Sequence, residues 1–151
     1  MLPAEHRLRS TSLFRSTVRR GRKKGSRTVV VYLWAPDPGV EANSGAHPVA
    51  TKSATPLVTH GGPRAGIIVS KAVGNAVKRH AVSRLLRAVL DGVIKDATPH
   101  HVNNVSRETL GPALDIPSHS FVVVRALPAA AKATSQQLDR DIRSCLRRLG
   151  V

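Results

Sequence analysis

Lys71-Ala-Val-Gly-Asn-Ala-Val-Lys-Arg-His-Ala-Val-Ser-Arg-Leu-Leu-Arg-Ala-Val-Leu-Asp91 is the stretch that organises this chain. Val82, Leu85, Leu86, Val89, Leu90 and Val93 recur at three- and four-residue intervals, the spacing of a helix packed along one apolar stripe. Asn75 stands where that helix needs an N-cap acceptor. At 100° per residue, His80, Arg84 and Arg87 fall within about 60° of one another, roughly opposite the stripe. Arg79 lies at the margin. Lys78 points towards the apolar side, in a first turn loose enough for its long stem to snorkel.

Working outward, Arg64 to Ser70 precedes this helix as a strand, and Thr28 to Trp34 is an earlier strand rich in β-branched and aromatic residues. Between them, residues 35–63 are mostly Pro, Gly, Ser, Thr and Ala. That composition cannot offset the entropy of ordering, so a disordered loop inserted between neighbouring strands is expected. Ser10, Thr11 and Ser12 offer caps for a short first helix ending near Gly21, with Phe14 and Val18 on one face. Arg22 to Arg27 then lead, as a basic connection, into the strand at Thr28. Downstream, residues 96–119 read as a second polar loop, Phe121 to Val124 as a third strand, and Ser135 to Leu149 as a last helix. Leu138, Ile142, Cys145, Leu146 and Leu149 share one face of that helix. The expected architecture is a single domain over 1–151, a small α-β-β-α-β-α sandwich of the α+β or α/β class with long disordered loops.

Charge narrows the function. Lys and Arg number 24 against 9 Asp and Glu, a net +15 that attracts polyanions from a distance. No run approaches the ~18 apolar residues of a spanning helix, and Met1 to Arg7 lacks the apolar stretch of a secretory signal. Nucleic acid is therefore expected as partner, and membrane is not. Aromatics are only 3%, too few for a broad stacking platform. The lone cysteine, Cys145, excludes an intrachain disulfide and fits a reducing cytoplasm; its place on the apolar stripe marks a packed thiol.

Catalytic constellations are missing. There is no HExxH, no G-x-S-x-G, no phosphate loop with its lysine, and no convincing acid–base grouping. His100-His101 is a weak metal candidate, without Cys or carboxylate neighbours. By contrast, guanidinium groups on one helix face suit bidentate contacts to phosphate, although a solvated charged face has the same spacing.

The string Val69-Ser70-Lys71, Val73-Gly74-Asn75-Ala76-Val77-Lys78-Arg79 and Arg84-Leu85-Leu86-Arg87 resembles the signature of the bacterial ribonuclease P protein family. Upstream, Leu8-Arg9 and Phe14-Arg15 resemble that family's N-terminal segment. The resemblance spans nearly the whole chain outside the two loops. It departs within the arginine-rich motif, where His80 and Ala81 stand in place of Asn and Arg, and Ser83 replaces a usual lysine.

The resemblance implies a compact α+β domain with a left-handed βαβ crossover, an exception to the right-handed rule, in a fold shared with a ribosomal-protein domain. It implies that Asn75, Lys78, Arg79, His80, Arg84 and Arg87 face a catalytic RNA, and that Lys71 binds RNA at the basic rim of a leader cleft. A cleft between the sheet and first helix, with Phe14 and Tyr32, would take the 5′ leader of precursor tRNA. Core packing is the competing role for those two. Hydrolysis would rest on Mg2+ held mainly by the RNA subunit, the protein alone being non-catalytic, with no obligate protein partner. A structural ribosomal or general RNA-binding protein is the rival reading, and only these motifs speak against it.

Overall fold

A computed structural model of the chain describes residues 2–36, 62–97 and 114–151. Most of both expected loops, and His100-His101 with them, lies outside the described residues. Seven main elements follow in order: α1 (Thr11–Arg20), β1 (Arg22–Gly25), β2 (Val29–Trp34), β3 (Arg64–Ile68), α2 (Ala76–Ala97), β4 (Phe121–Ala126) and α3 (Ser135–Arg148). The strands form one mixed sheet in the order β1-β2-β4-β3. β1 and β4 run antiparallel to β2, while β3 runs parallel to β4, joined to it through α2.

The α+β class expected from the sequence holds, with one strand more than the periodicity predicts. Arg22–Gly25 is a strand, not a connection, and every residue in it is exposed. It carries no hydrophobic alternation because it is an edge strand. It is held by its ladder to β2, with Lys23 opposite Tyr32 and Lys24 opposite Val31, rather than by burial. A second difference lies at the boundaries of the expected polar stretch 96–119. α2 continues to Ala97, and Leu114 and Ile116 are buried in the core.

Alternation along the strands splits the sheet into two faces. Val29, Val31 and Leu33 of β2, with Val122, Val124 and Ala126 of β4, enter the main core with α2 and α3. That core receives Val82, Leu86, Val89, Leu90, Val93 and Ile94 from α2 and Leu138, Ile142, Cys145 and Leu146 from α3. Burial raises the Cys145 thiol above its ordinary pKa, outweighing a hydrogen bond with Ser26, so the thiol stays protonated and packed. α3 starts with a reciprocal cap: Thr134 Oγ1 accepts from Gln137 N–H, and Gln137 Oε1 accepts from Thr134 N–H. Arg143 ties the two helices together, donating to Asp139 on its own helix and to Asp96 of α2.

The opposite face of the sheet carries Tyr32, Phe121 and Val123 and is crossed by α1. The outer edge of β3 is partly covered by the N-terminal segment. Arg7 bridges to Ala65, and Leu8 N–H donates to the Ala65 carbonyl at 2.9 Å.

Candidate RNA interface

Two surfaces hold the residues singled out by the sequence, and they lie on different sides of the sheet. The first is the start of α2. Lys71 opens a single 3-10 turn, Lys71–Val73, and is exposed. Gly74 follows with φ +146°, a conformation open to glycine and strained for any side chain. A Cβ there would also sit 3.0 Å from Lys78 Cδ, because the lysine stem folds back over the turn. Asn75 caps the helix as expected: its Oδ1 accepts from Lys78 N–H at 3.0 Å, and its carbonyl accepts from Arg79 N–H.

From this start, Lys78, His80, Arg84 and Arg87 are exposed, and Arg79 is half-buried. Arg79, His80 and Ser83 line a groove of about 190 Å³ with Val69 and Ala76. The Arg79 Nε is buried without a hydrogen-bond partner among the described residues. An unpaired buried donor is costly, and one on a fixed positive charge is best satisfied by an anionic oxygen. The first turn of α2 holds no acidic residue, so its cations add to the positive end of the helix dipole instead of neutralising it. Physically, this end of α2 is an anion-accepting surface. Ser83 lines the groove beside Arg79.

The second surface is the α1 face of the sheet. Phe14, half-buried on α1, lies against Gly66 of β3: a Cβ on that glycine would come within 2.5 Å of Phe14 Cε2. Tyr32 is 9% exposed and sits in the same cross-strand row as Val123 and Gly66. Phe14 and Tyr32 therefore share one face, over strands two positions apart, about 10 Å at ordinary strand spacing. Their burial is also what core packing would give. The next row along this face is Val30, Arg125 and Ile68, with Arg125 exposed in a central strand. The sequence reading missed Arg125. Phe121-Val-Val-Val-Arg-Ala126 looks like an apolar run, and only the alternation places that arginine on the α1 face.

Gly66 gives a direct test of this geometry. Gly66→Ala should drive Phe14 off its seat and cost about 1–3 kcal/mol, the usual range for overpacking. Urea unfolding checks it, and adding Phe14→Ala to the same chain should recover part of the loss.

Among the described residues no helix is long and apolar enough to cross a membrane. Nor does any group of three or more His, Cys, Asp or Glu stand together to hold a metal ion.

Comparison with known proteins decides the family. The profile of the Ribonuclease P family matches residues 2–150. The ribonuclease P protein component of Corynebacterium urealyticum is 53% identical over 150 residues, covering 99% of this chain and 98% of that one. The chain belongs to the ribonuclease P protein family. The ribonuclease P protein component of Corynebacterium efficiens is 43% identical, over 99% of this chain and 96% of its own. The ribonuclease P protein of Staphylococcus aureus shares the fold with a TM-score of 0.59 at 19% identity, over 95% of this chain and 94% of that one. Against this membership, the rival reading as a structural ribosomal or general RNA-binding protein is not favoured. The resemblance carried by Val69 to Arg87 in the sequence is thus a family relation. His80, Ala81 and Ser83 are variations within a ribonuclease P protein.

Proposed function

We propose that this chain is the protein subunit of a bacterial ribonuclease P, binding the RNA subunit through the start of α2 and assisting removal of 5′ leaders from precursor tRNA. The observation that carries the α2 assignment is the row of exposed Lys78, His80, Arg84 and Arg87 beside the groove lined by Arg79, at a helix start without an acidic residue. Phosphate oxygens satisfy such donors, and several of them fix an RNA backbone in register. Lys71, Asn75 and Lys78 extend the same surface around the turn before the helix.

On this reading the leader lies on the α1 face, with Phe14 and Tyr32 beside its path and Arg125 supplying a cation between Val30 and Ile68. On this reading the chain takes no chemical step itself and acts through the RNA it binds. Mg2+ belongs mainly to the RNA, and the protein lowers the electrostatic cost of bringing polyanions together. The assembly would work in the cytoplasm, with precursor tRNA as substrate and without an obligate protein partner.

Reconstitution tests this. Adding the chain to a bacterial ribonuclease P RNA should allow correct 5′ cleavage of precursor tRNA at magnesium concentrations where the RNA alone is nearly inactive. Cleavage by protein rigorously freed of RNA would defeat the proposed division of labour, and so would failure to stimulate the RNA at any magnesium concentration.

A further inference from the structure

The sheet has two edges, and they are built differently. At the β3 edge, the N-terminal segment bridges to Ala65. At the other edge, β1 pairs only with β2 among the described residues, and its Arg22, Lys23, Lys24 and Gly25 are all exposed. Paired residues of neighbouring strands point to the same face. Arg22 and Lys24 lie opposite Leu33 and Val31, both in the main core, so they stand on the α3 side. Lys23 lies opposite Tyr32 and stands on the α1 side.

Each side gains further cations from its helix. The last turn of α1 contributes Arg19 and Arg20, and that of α3 contributes Arg147 and Arg148. The Arg22 guanidinium reaches the end of α3, its Nη1 lying 4.0 Å from where a Cβ on Gly150 would stand. None of these seven cations forms an ion pair among the described residues. Elsewhere the fold does pair its charges, as in Arg143 with Asp96 and Asp139, or Lys95 with Asp91. Asp141, the acid on α3 towards this edge, is engaged by the Thr28 hydroxyl.

We infer that the β1 edge, with the ends of α1 and α3, is a second RNA-binding surface that takes the phosphodiester backbone of the RNA subunit. The inference rests on the proposed function in taking that RNA as the partner. Its placement favours the RNA subunit over the precursor leader. Arg22 and Lys24 point to the side of the sheet that carries α2 and α3, where Arg147 and Arg148 end α3, opposite the face of Phe14 and Tyr32. Lys23 stands on the α1 side with Arg19 and Arg20, so a leader strand lying on that face reaches only one side of the edge. One large folded RNA can wrap the edge and reach α2 and α3 as well. Two local roles compete. Lysines blunt an open edge against pairing with another chain, and arginines suit the negative end of a helix dipole. Neither calls for three consecutive cations on the strand converging with four more from two helices.

The test is a titration of the full chain with a corynebacterial ribonuclease P RNA transcript at several salt concentrations. Two edge variants are compared with wild type, Arg22→Gln/Lys23→Gln/Lys24→Gln and Arg147→Gln/Arg148→Gln. An Arg84→Ala/Arg87→Ala variant reports on α2. Circular dichroism and sedimentation check that each variant keeps the wild-type fold and assembly state, and the helix variant leaves the edge strand itself unchanged. Each edge variant should bind about tenfold more weakly or worse, and the slope of log affinity against log salt should become shallower by about two units. Unchanged affinity and slope in both edge variants, beside a loss in the α2 variant, would overturn the second surface while leaving the proposed function standing. The surface would also be reassigned, and the inference overturned, if the edge variants weakened only precursor tRNA binding by the assembled holoenzyme. No loss in any of the three variants would remove the proposed RNA-subunit contact along with the inference.

Discussion

Replacing Arg79, Arg84 and Arg87 together by alanine is expected to weaken binding of the ribonuclease P RNA by about a thousandfold, roughly tenfold for each lost phosphate contact. The salt dependence should fall with it, the log–log slope becoming shallower by about two to three units. Arg84 and Arg87 are exposed and separate from the apolar stripe, so removing them should leave the core intact. Arg79 is half-buried with an unpaired Nε, so its removal also relieves an unsatisfied donor and should not destabilise the free protein. Filter binding or fluorescence anisotropy from low to physiological salt, with urea unfolding of the free chain, separates the two effects. Retention of wild-type affinity and slope by the triple variant would mean that this face is only solvated. RNA binding would then have to lie elsewhere on the molecule.

The opposite outcome is expected at Leu86, between Arg84 and Arg87 on the same helix. Leu86 is fully buried in the core shared by α2, α3 and the sheet. Leu86→Ala removes its packing and leaves a cavity, at a cost of roughly 2–5 kcal/mol. A domain of this size has only about 5–15 kcal/mol in total, so the unfolding midpoint should drop sharply. Affinity for the RNA, measured where the variant is still folded, should change little, because Arg84 and Arg87 stand off the apolar stripe and Arg79 lies about two turns away. A variant that kept full stability would show that the core tolerates collapse at this site. One that was stable but failed to bind would show that α2 must be rigid for recognition.

The family, the helix of α2 with its cap at Asn75, and the packed state of Cys145 were legible in the residues themselves. Each depends on short-range regularities: a 3.6-residue apolar period, an amide acceptor three residues before a free N–H, a thiol on an apolar stripe. β1 was not legible, because an exposed edge strand needs no hydrophobic pattern and Arg-Lys-Lys-Gly has none. The role of Leu114 and Ile116 was hidden for the converse reason, since two apolar residues amid polar ones show no period until the core that receives them is known.

The candidate surfaces divide the same way. That His80, Arg84 and Arg87 share a face follows from helical geometry alone, before any tertiary contact is known. That Arg79 is held with its Nε buried, that Phe14 rests on Gly66, and that Arg125 faces α1 depends on which strands lie side by side. Residues 14, 66, 32 and 125 are far apart in the chain, and no local periodicity links them. By itself the sequence determined the charge, the helix faces and the family. Only the tertiary structure decided which cations lie together and which strand edge stays open, because those depend on long-range pairing that no window of the sequence contains.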